Sequence, residues 1–156
     1  MTSRTPARTI AREDPGQPDV RAMLAAGDAL YAALYPAESN HLLDAAALQD
    51  RAVPFYVVRQ DGRAIGCGAI VRQAPDWAEI KRMYVDPAAR GRGIGKLILD
   101  TLLDHARANG VRVARLETGV KQGEALGLYR AAGFAERAAF GFYAPDPTSV
   151  FMEKTL

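Results

Sequence analysis

The sequence predicts a single mixed α/β domain, and three observations support this fold class. Three β-rich runs, at residues 55–59, 63–71 and 78–85, follow one another with turn signals between them, which is typical of an antiparallel meander. A glycine-rich loop, RGRGIGK at 90–96, comes next and leads into an amphipathic helix pattern. A strand, a short helix and two closing strands follow. Strands and helices do not alternate regularly in this order, as they would in a doubly wound fold, and the order therefore indicates a mixed sheet.

The elements before the meander are a strand and two helices. Residues Thr9–Arg12 predict a first strand. The first helix pattern begins after Pro18, with Asp19 as the expected capping residue, and it ends at Pro36 because proline cannot continue a helix. A second short helix is expected around Leu42–Gln49.

Turn residues set the limits of the later elements. Asp61-Gly62 predicts a tight hairpin between the first two strands of the meander, and Asp86-Pro87 ends the third strand. The helix after the glycine loop closes at Asn109-Gly110, and Gly133 ends the next helix. The remaining elements are a strand at 111–118, a helix at 124–132 and closing strands at 134–140 and 148–154.

Composition and charge exclude several classes of protein. The chain has 156 residues, of which 49% are hydrophobic, so we expect residues 1–156 to form one domain with a real core. The net charge of +2 does not indicate nucleic-acid binding, and no apolar run in the sequence is long enough to span a bilayer. Cys67 is the only cysteine, which excludes an internal disulfide or a cysteine metal cluster. A single cysteine is also typical of a reducing compartment, so we expect a cytoplasmic protein.

The spacing of the glycine loop excludes two common nucleotide-binding motifs. A P-loop requires a serine or threonine after Gly95-Lys96, where this sequence has Leu97, and a glycine where it has Arg90. A Rossmann fingerprint fits Gly91 and Gly93 but places its third glycine at Lys96.

The loop nevertheless has the properties of an anion site. It opens a helix, and the first turn of a helix offers free N–H groups and the positive end of the helix dipole. Glycine leaves room for a ligand close to the backbone, and the arginine and lysine side chains of the loop add positive charge. We therefore expect a pyrophosphate to bind here. The candidate binding residues are Arg90, Gly91, Arg92, Gly93, Ile94, Gly95 and Lys96.

Two longer segments resemble one enzyme family. MYVDPAARGRGIGKLIL closely resembles the strand–loop–helix unit of the GNAT acetyltransferase superfamily, and LETGVKQGEALGLYRAAGF resembles its next strand and helix. The resemblance covers Glu79–Phe134 and is vague over the first part of the chain. It implies a single GNAT-like α/β domain with a mixed, mostly antiparallel sheet flanked by helices. It also implies acetyl-CoA, or a related acyl-CoA, as donor, without a metal, because the pyrophosphate is bound and not cleaved.

The resemblance implies roles for the strand before the loop. The pantetheine arm of CoA would lie beside Met83, Tyr84 and Val85, with main-chain groups of Met83 and Val85 bonded to its amides. The strand would splay from its neighbour there and leave a cleft. The implied reaction is N-acetyl transfer to a primary amine of a small molecule or peptide, by direct attack in a ternary complex. Enzymes of this family are often homodimers, so a homodimer is a further expectation.

Two side chains are candidates for proton transfer. By resemblance, Tyr129 would protonate the leaving CoA thiolate; the alternative is a tyrosine that only packs. Glu79 would be the general base, as in histone-type members of the superfamily; the alternative is an ion pair with Lys81 or Arg82. If no bulge intervenes, strand alternation places on one face Glu79, Lys81, Met83 and Val85.

The remaining candidates concern the acceptor. Ser39, Asn40 and His41 lie between the first two helices, where members of the family often shape the acceptor pocket. Phe142 and Tyr143 could line the mouth of that pocket or cover a dimer contact, and the sequence does not decide between these two.

Two classes of function stay open at this point. The first is the enzyme described above, which Tyr129 and Glu79 favour. The second is a GNAT-like module that binds CoA as a sensor or partner contact without turnover. Nucleic-acid binding is disfavoured, because the basic cluster at 90–96 is compact and lacks interleaved aromatic residues.

Overall fold

The computed structural model describes residues 7–36, 43, 45–50 and 53–156. Within these residues the chain forms seven strands and four helices. Their bounds are β1 Arg8–Arg12, α1 Pro18–Leu34, α2 Ala45–Leu48, β2 Phe55–Gln60, β3 Arg63–Ala74, β4 Trp77–Val85, α3 Ile94–Ala108, β5 Val113–Gly119, α4 Gly123–Ala131, β6 Ala135–Arg137 and β7 Ser149–Thr155.

One sheet contains the seven strands in the order β1-β2-β3-β4-β5-β7-β6. Neighbouring strands pair antiparallel except β4 and β5, which are parallel. This arrangement confirms the predicted mixed, mostly antiparallel sheet. The predicted hairpin between β2 and β3 is also present, with positive φ at Asp61 (49°) and Gly62 (84°), as a type I′ turn requires.

The two faces of the sheet carry separate cores. On one face α3 presents apolar residues at helical spacing, and Ile98 and Leu102 are fully buried against Leu116 and Met152 of the sheet. On the other face α1 packs over the meander, where Val20 contacts a cluster that includes Phe55, Val57 and Cys67.

The start of α1 differs from the prediction by two residues. Gln17 occupies the N-cap position and Pro18 the first helical position. Proline suits that place because its fixed φ is helical and the missing N–H would have no partner there. Asp19 therefore lies inside the first turn, where its carboxylate pairs with Arg59 of β2 at 2.6 Å.

Strands β4 and β5 separate partway along their length. They pair from Trp77↔Val113 to Ile80↔Leu116, although β4 continues to Val85 and β5 to Gly119. The predicted splay is therefore present. Beyond Ile80 the edge of β4 that faces β5 has no strand partner among the described residues, and a cleft opens between the two strands.

A β-bulge at Arg82 changes the alternation along β4. Arg82 has a φ of 58°, and the pairing with β3 steps from Ala69↔Lys81 to Cys67↔Tyr84, so β4 carries one extra residue. The extra residue inverts the alternation beyond it. Glu79 and Lys81 consequently share a face with Tyr84, whereas Met83 and Val85 lie on the opposite face with α3. The single face expected in the absence of a bulge is wrong for this strand.

Candidate active site

A cleft of about 560 Å³ lies where β4 and β5 separate. The start of α3 closes one end, which we call the loop end and define by the segment from Arg90 to Lys96. The other end, the carboxylate end, is defined by the side chains of Tyr31, Glu79, Lys81 and Glu117. Among the catalytic and donor-binding residues that the sequence predicts, all line this cleft except Arg92.

The loop end is built by local hydrogen bonds. Asp86 ends β4, and its Oδ1 accepts the N–H of Ala88 at 2.9 Å, which caps a short 3₁₀ turn at Pro87–Ala89. Ala89 is buried and fixes this turn to the core. The chain then enters α3 through Gly93, whose φ of 75° is left-handed and favours glycine.

The first turn of α3 leaves donors and space for an anion. The Leu97 N–H makes the first bond of the helix, to the Gly93 carbonyl at 3.1 Å, so the preceding N–H groups have no helical acceptor. A Cβ added at Gly91 or Gly93 would meet no atom within 4 Å, which shows that the backbone there borders open space. This combination is the one that binds phosphate at helix N-termini.

The cations of the loop differ in placement. Arg90 and Lys96 line the cleft, and Lys96 also pairs with Asp100 at 2.6 Å. Arg92 is exposed and lies outside the cleft lining, while its carbonyl accepts a hydrogen bond from Arg8 Nη1 at 3.2 Å. Gly95 has a packing constraint of its own, because a Cβ there would lie 3.2 Å from Leu128 of α4.

The middle of the cleft is formed by Met83, Tyr84 and Val85 on one side and by α4 on the other. Tyr129 of α4 is 5% exposed and packs its ring edge-on against Phe134 at 5.9 Å. Burial raises the pKa of the Tyr129 phenol, so the hydroxyl stays protonated at neutral pH. Within the part of the chain that the structure describes, this hydroxyl has no hydrogen-bond acceptor, and Tyr129 lines the cleft.

Glu79 lies at the carboxylate end with a side chain that is almost completely buried, the residue being 3% exposed. Its Oε2 accepts a hydrogen bond from the Tyr143 hydroxyl at 2.5 Å and lies 3.1 Å from Lys81 Nζ. Its Oε1 lies 3.4 Å from Gln73 Nε2. Lys81 also donates to the Tyr143 hydroxyl, so the three groups form one cluster. The ion pair with Lys81 that the sequence left as an alternative is therefore present.

Arg82 makes different contacts, which excludes it as the partner of Glu79. Its guanidinium pairs with Asp28 of α1 and donates to the Leu24 carbonyl at 3.1 Å. The bulge also engages Cys67, whose thiol donates to the Arg82 carbonyl at 3.4 Å. Burial raises the pKa of the Cys67 thiol to about 12, so this cysteine is not a nucleophile at neutral pH.

Sequence reasoning missed two residues at the carboxylate end. Glu117, near the end of β5, accepts a hydrogen bond from Ser149 Oγ at 2.8 Å. Tyr31 comes from α1, and the pKa of its phenol is raised by burial and then by the charge of Glu117. Alternation along β5 puts Glu117 on the opposite face from the buried Leu116, and this signal could have identified it. Nothing local in α1 marks Tyr31.

Tyr143 and Phe142, the two aromatic candidates near the C-terminus, have different environments in the structure. Tyr143 reaches Glu79, and burial together with this hydrogen bond raises the pKa of its phenol. Its ring packs against Phe140 at 5.3 Å and Phe151 at 5.5 Å. Phe142 is instead fully exposed. The other acceptor candidates, Ser39, Asn40 and His41, lie outside the described residues.

Two features are absent from the described residues, a membrane-spanning helix and a metal-binding cluster. None of the helices in the described ranges is long and apolar enough to cross a membrane. No group of three or more histidine, cysteine, aspartate or glutamate side chains within those ranges is arranged to hold a metal ion.

Comparison with known proteins identifies the family. Residues 22–134 match the family model of the acetyltransferase (GNAT) family. An IAA acetyltransferase of Azospirillum brasilense is 48% identical over 149 residues, which is 95% of this chain and 97% of that protein. The N-alpha-acetyltransferase RimI of Mycobacterium tuberculosis is 40% identical over 83 residues, or 51% of each chain.

A solved structure agrees with both matches. A protein of Klebsiella pneumoniae, provisionally named an acyl-CoA N-acyltransferase, superimposes with a TM-score of 0.81 at 37% identity and covers 96% of this chain and 97% of its own. The chain described here belongs to the GNAT family and is an acyl-CoA-dependent N-acetyltransferase whose donor is acetyl-CoA.

Proposed function

We propose that this protein transfers the acetyl group of acetyl-CoA to a primary amine of a small molecule or peptide, by direct attack in a ternary complex. One observation carries the proposal. A single continuous cleft has an anion cradle at its loop end, an unpaired strand edge in its middle and carboxylates at its other end. Donor and amine can therefore occupy one space with their reacting groups adjacent, which is the main requirement for direct transfer.

The donor would be held along the cleft by main-chain groups and cations. The N–H groups at the start of α3, with Arg90 and Lys96, suit the pyrophosphate. The free edge of β4 at Met83 and Val85 suits the amides of the pantetheine arm, and Tyr84 lies between them. Arg92 would contribute charge and main-chain N–H only, because its side chain lies outside the cleft lining.

Proton transfer is assigned to Tyr129 and Glu79. An alkylammonium acceptor must lose a proton before it can attack a thioester, and Glu79 is a carboxylate at the end of the cleft opposite the cradle. Tyr129 is a protonated phenol in the middle of the cleft, where it can donate to the leaving sulfur. General acid and base groups typically contribute ~10²–10⁴-fold each to turnover.

The assignment of Glu79 is tested by Glu79→Gln, with Glu117→Gln as the matched control, because both side chains lie at the carboxylate end. We expect Glu79→Gln to lower turnover by about 10²–10⁴-fold below the pKa of the amine and to recover as the pH rises, since the free amine needs no base. Turnover is measured as release of free CoA thiol across a panel of small amines and peptides with a free α-amino group. The peptides are included because one relative is an N-alpha-acetyltransferase.

Two outcomes would contradict this assignment. Wild-type turnover of Glu79→Gln across the pH range would place the base elsewhere or leave the proton to water. If Glu117→Gln, and not Glu79→Gln, loses turnover below the pKa of the amine and regains it as the pH rises, the base is Glu117. Absence of thiol release with every amine of the panel would favour the CoA-binding module without turnover.

We also infer a homodimer and a cytoplasmic location. The exposed Phe142 is an apolar side chain that a partner could cover, and a single reduced cysteine suits the cytoplasm. Light scattering at micromolar concentration tests the first inference, and the mass of a single chain would count against it.

A further inference from the structure

Lys81 is an amine that the fold itself places inside the cleft. Its side chain is 14% exposed, lines the carboxylate end and contacts both Glu79 and Tyr143. The sequence has four lysines, and the other three differ in position. Lys96 and Lys121 also line the cleft, but Lys96 is at the loop end and Lys121 Nζ donates to the Leu34 carbonyl of α1 at 3.1 Å, while Lys154 lies outside the lining.

The surroundings of Lys81 supply what an acceptor amine requires. Glu79 Oε2 is 3.1 Å from Nζ and can take a proton from it. Lys81 precedes Met83 by two residues on β4, with the bulge at Arg82 between them, so the two Cα atoms lie at most roughly 7 Å apart although the two side chains are on opposite faces. The four-carbon stem of lysine is flexible, so Nζ can move between Glu79 and the middle of the cleft.

We propose that Lys81 is an internal acetyl acceptor, modified from bound acetyl-CoA when no external amine occupies the cleft. The proposal rests on the proposed function in one respect, the placement of the thioester beside Met83. Lys81 Nζ, after passing one proton to Glu79, forms a bond to the thioester carbonyl carbon, and the carbon–sulfur bond breaks. The sulfur leaves as a thiolate and takes a proton from Tyr129; the second Nζ proton is lost to solvent. The products are acetyl-lysine and free CoA, and no oxidant or reductant is needed.

Acetylation of Lys81 would change the site in two ways. It removes a positive charge from beside a nearly buried carboxylate, which leaves Glu79 without its ion-pair partner. It also adds an acetyl group to the volume that an acceptor must occupy. The modified enzyme should therefore turn over external amines more slowly, and an external amine should protect Lys81 by competing for the same thioester.

The experiment is incubation of the full chain with acetyl-CoA alone, followed by trypsin digestion and peptide mass measurement. Trypsin does not cleave after acetyl-lysine, so modified Lys81 yields the peptide of residues 73–82 carrying one acetyl group. We expect acetylation at Lys81 to be at least about tenfold faster than at Lys154, which reports the uncatalysed reaction. An external amine should slow the reaction at Lys81 and leave Lys154 unchanged. Glu79→Gln should slow it as well, and Lys81→Arg should abolish the modified peptide while keeping the charge beside Glu79.

Equal rates at Lys81 and Lys154, or no acetyl group on residues 73–82, would overturn the proposal. The same rate at Lys81 in Gly93→Asp, which is designed to block donor binding, would also overturn it, since the reaction would then not use bound acetyl-CoA. If Lys81 stays unmodified while external amines are acetylated, only this inference fails. If no amine releases CoA and Lys81 is also unmodified, the proposed function fails with it.

Discussion

At the scale of single residues, the surroundings of Tyr129 differ from those of an ordinary core tyrosine. Its ring belongs to the main core, yet within the described chain its hydroxyl has no acceptor and Tyr129 lines the cleft. Among the described residues no fully buried side-chain N or O atom lacks a hydrogen-bond partner, so the Tyr129 hydroxyl is accessible from the cleft. A phenol placed in this way is suited to donate to a ligand group that appears only during the reaction.

Tyr129→Phe therefore tests a contact made only as the thiolate forms. We expect turnover to fall by about 10²–10⁴-fold with acetyl-CoA affinity nearly unchanged, because the ground state does not use the hydroxyl. Turnover is measured by thiol release and affinity by calorimetry. Tyr31→Phe is the matched control, since it removes another phenol that lines the same cleft but at the carboxylate end. Full turnover of Tyr129→Phe would show that the sulfur leaves without this acid.

At the scale of elements, Glu153 connects the three strands at one end of the sheet. Its Oε1 accepts from Arg115 Nε of β5 at 2.7 Å and from Arg137 Nη1 of β6 at 2.6 Å. The hydrogen bond from Arg115 lowers the pKa of Glu153, burial opposes this and Arg137 adds to the lowering. A carboxylate with a lowered folded-state pKa stabilises the fold above its unfolded pKa, and this contribution is lost as the pH falls through the folded value.

Glu153→Gln should consequently be destabilising at neutral pH and nearly neutral in acid. We expect it to lower the free energy of unfolding by about 1 kcal/mol at neutral pH, because the pairs are partly exposed. The difference from wild type should shrink as the pH falls below about 4. Urea unfolding at both pH values measures it. An equal deficit at both would show that lost packing, and not the charge, is responsible.

The elements were predictable where local chemistry decides them. Asp61-Gly62, the glycine loop and Asn109-Gly110 mark their turns by residues that few other conformations favour. The bulge at Arg82 was not predictable, because a positive φ at arginine has no local signal and depends on pairing with β3. The insertion of β7 between β5 and β6 depends likewise on contacts between distant segments.

At the scale of the whole molecule, the site is assembled from segments far apart in sequence. The predicted donor residues lie on one continuous segment from β4 into α3, and for that reason the sequence could locate them. The carboxylate end draws Tyr31 from α1, Glu117 from β5 and Tyr143 from near the C-terminus. No local pattern joins these three, so the acceptor side could not be predicted in the same way.

The same architecture makes the stability of the molecule depend on its donor. The ladder between β4 and β5 contains only four residue pairs, and a ligand in the cleft would bridge the halves of the sheet beyond them. A ligand that binds only the folded state, at about 100 times its Kd, adds about 2.7 kcal/mol. For a domain of this size we expect acetyl-CoA to raise Tm by roughly 5–10 °C. Differential scanning calorimetry measures the rise.

Gly93→Asp is the control for this stabilisation, because it places a side chain and a negative charge in the open space at the start of α3. Its own Tm should be lower, since aspartate is strained at a φ of 75°. The decisive quantity is therefore the rise that acetyl-CoA produces from each variant's own baseline. We expect that rise to disappear in Gly93→Asp and to be reduced in Arg90→Ala, which loses a charge but keeps the main-chain donors. A folded Gly93→Asp that acetyl-CoA stabilises as strongly as wild type would show that the pyrophosphate is held elsewhere, and the donor site argued from RGRGIGK would be wrong.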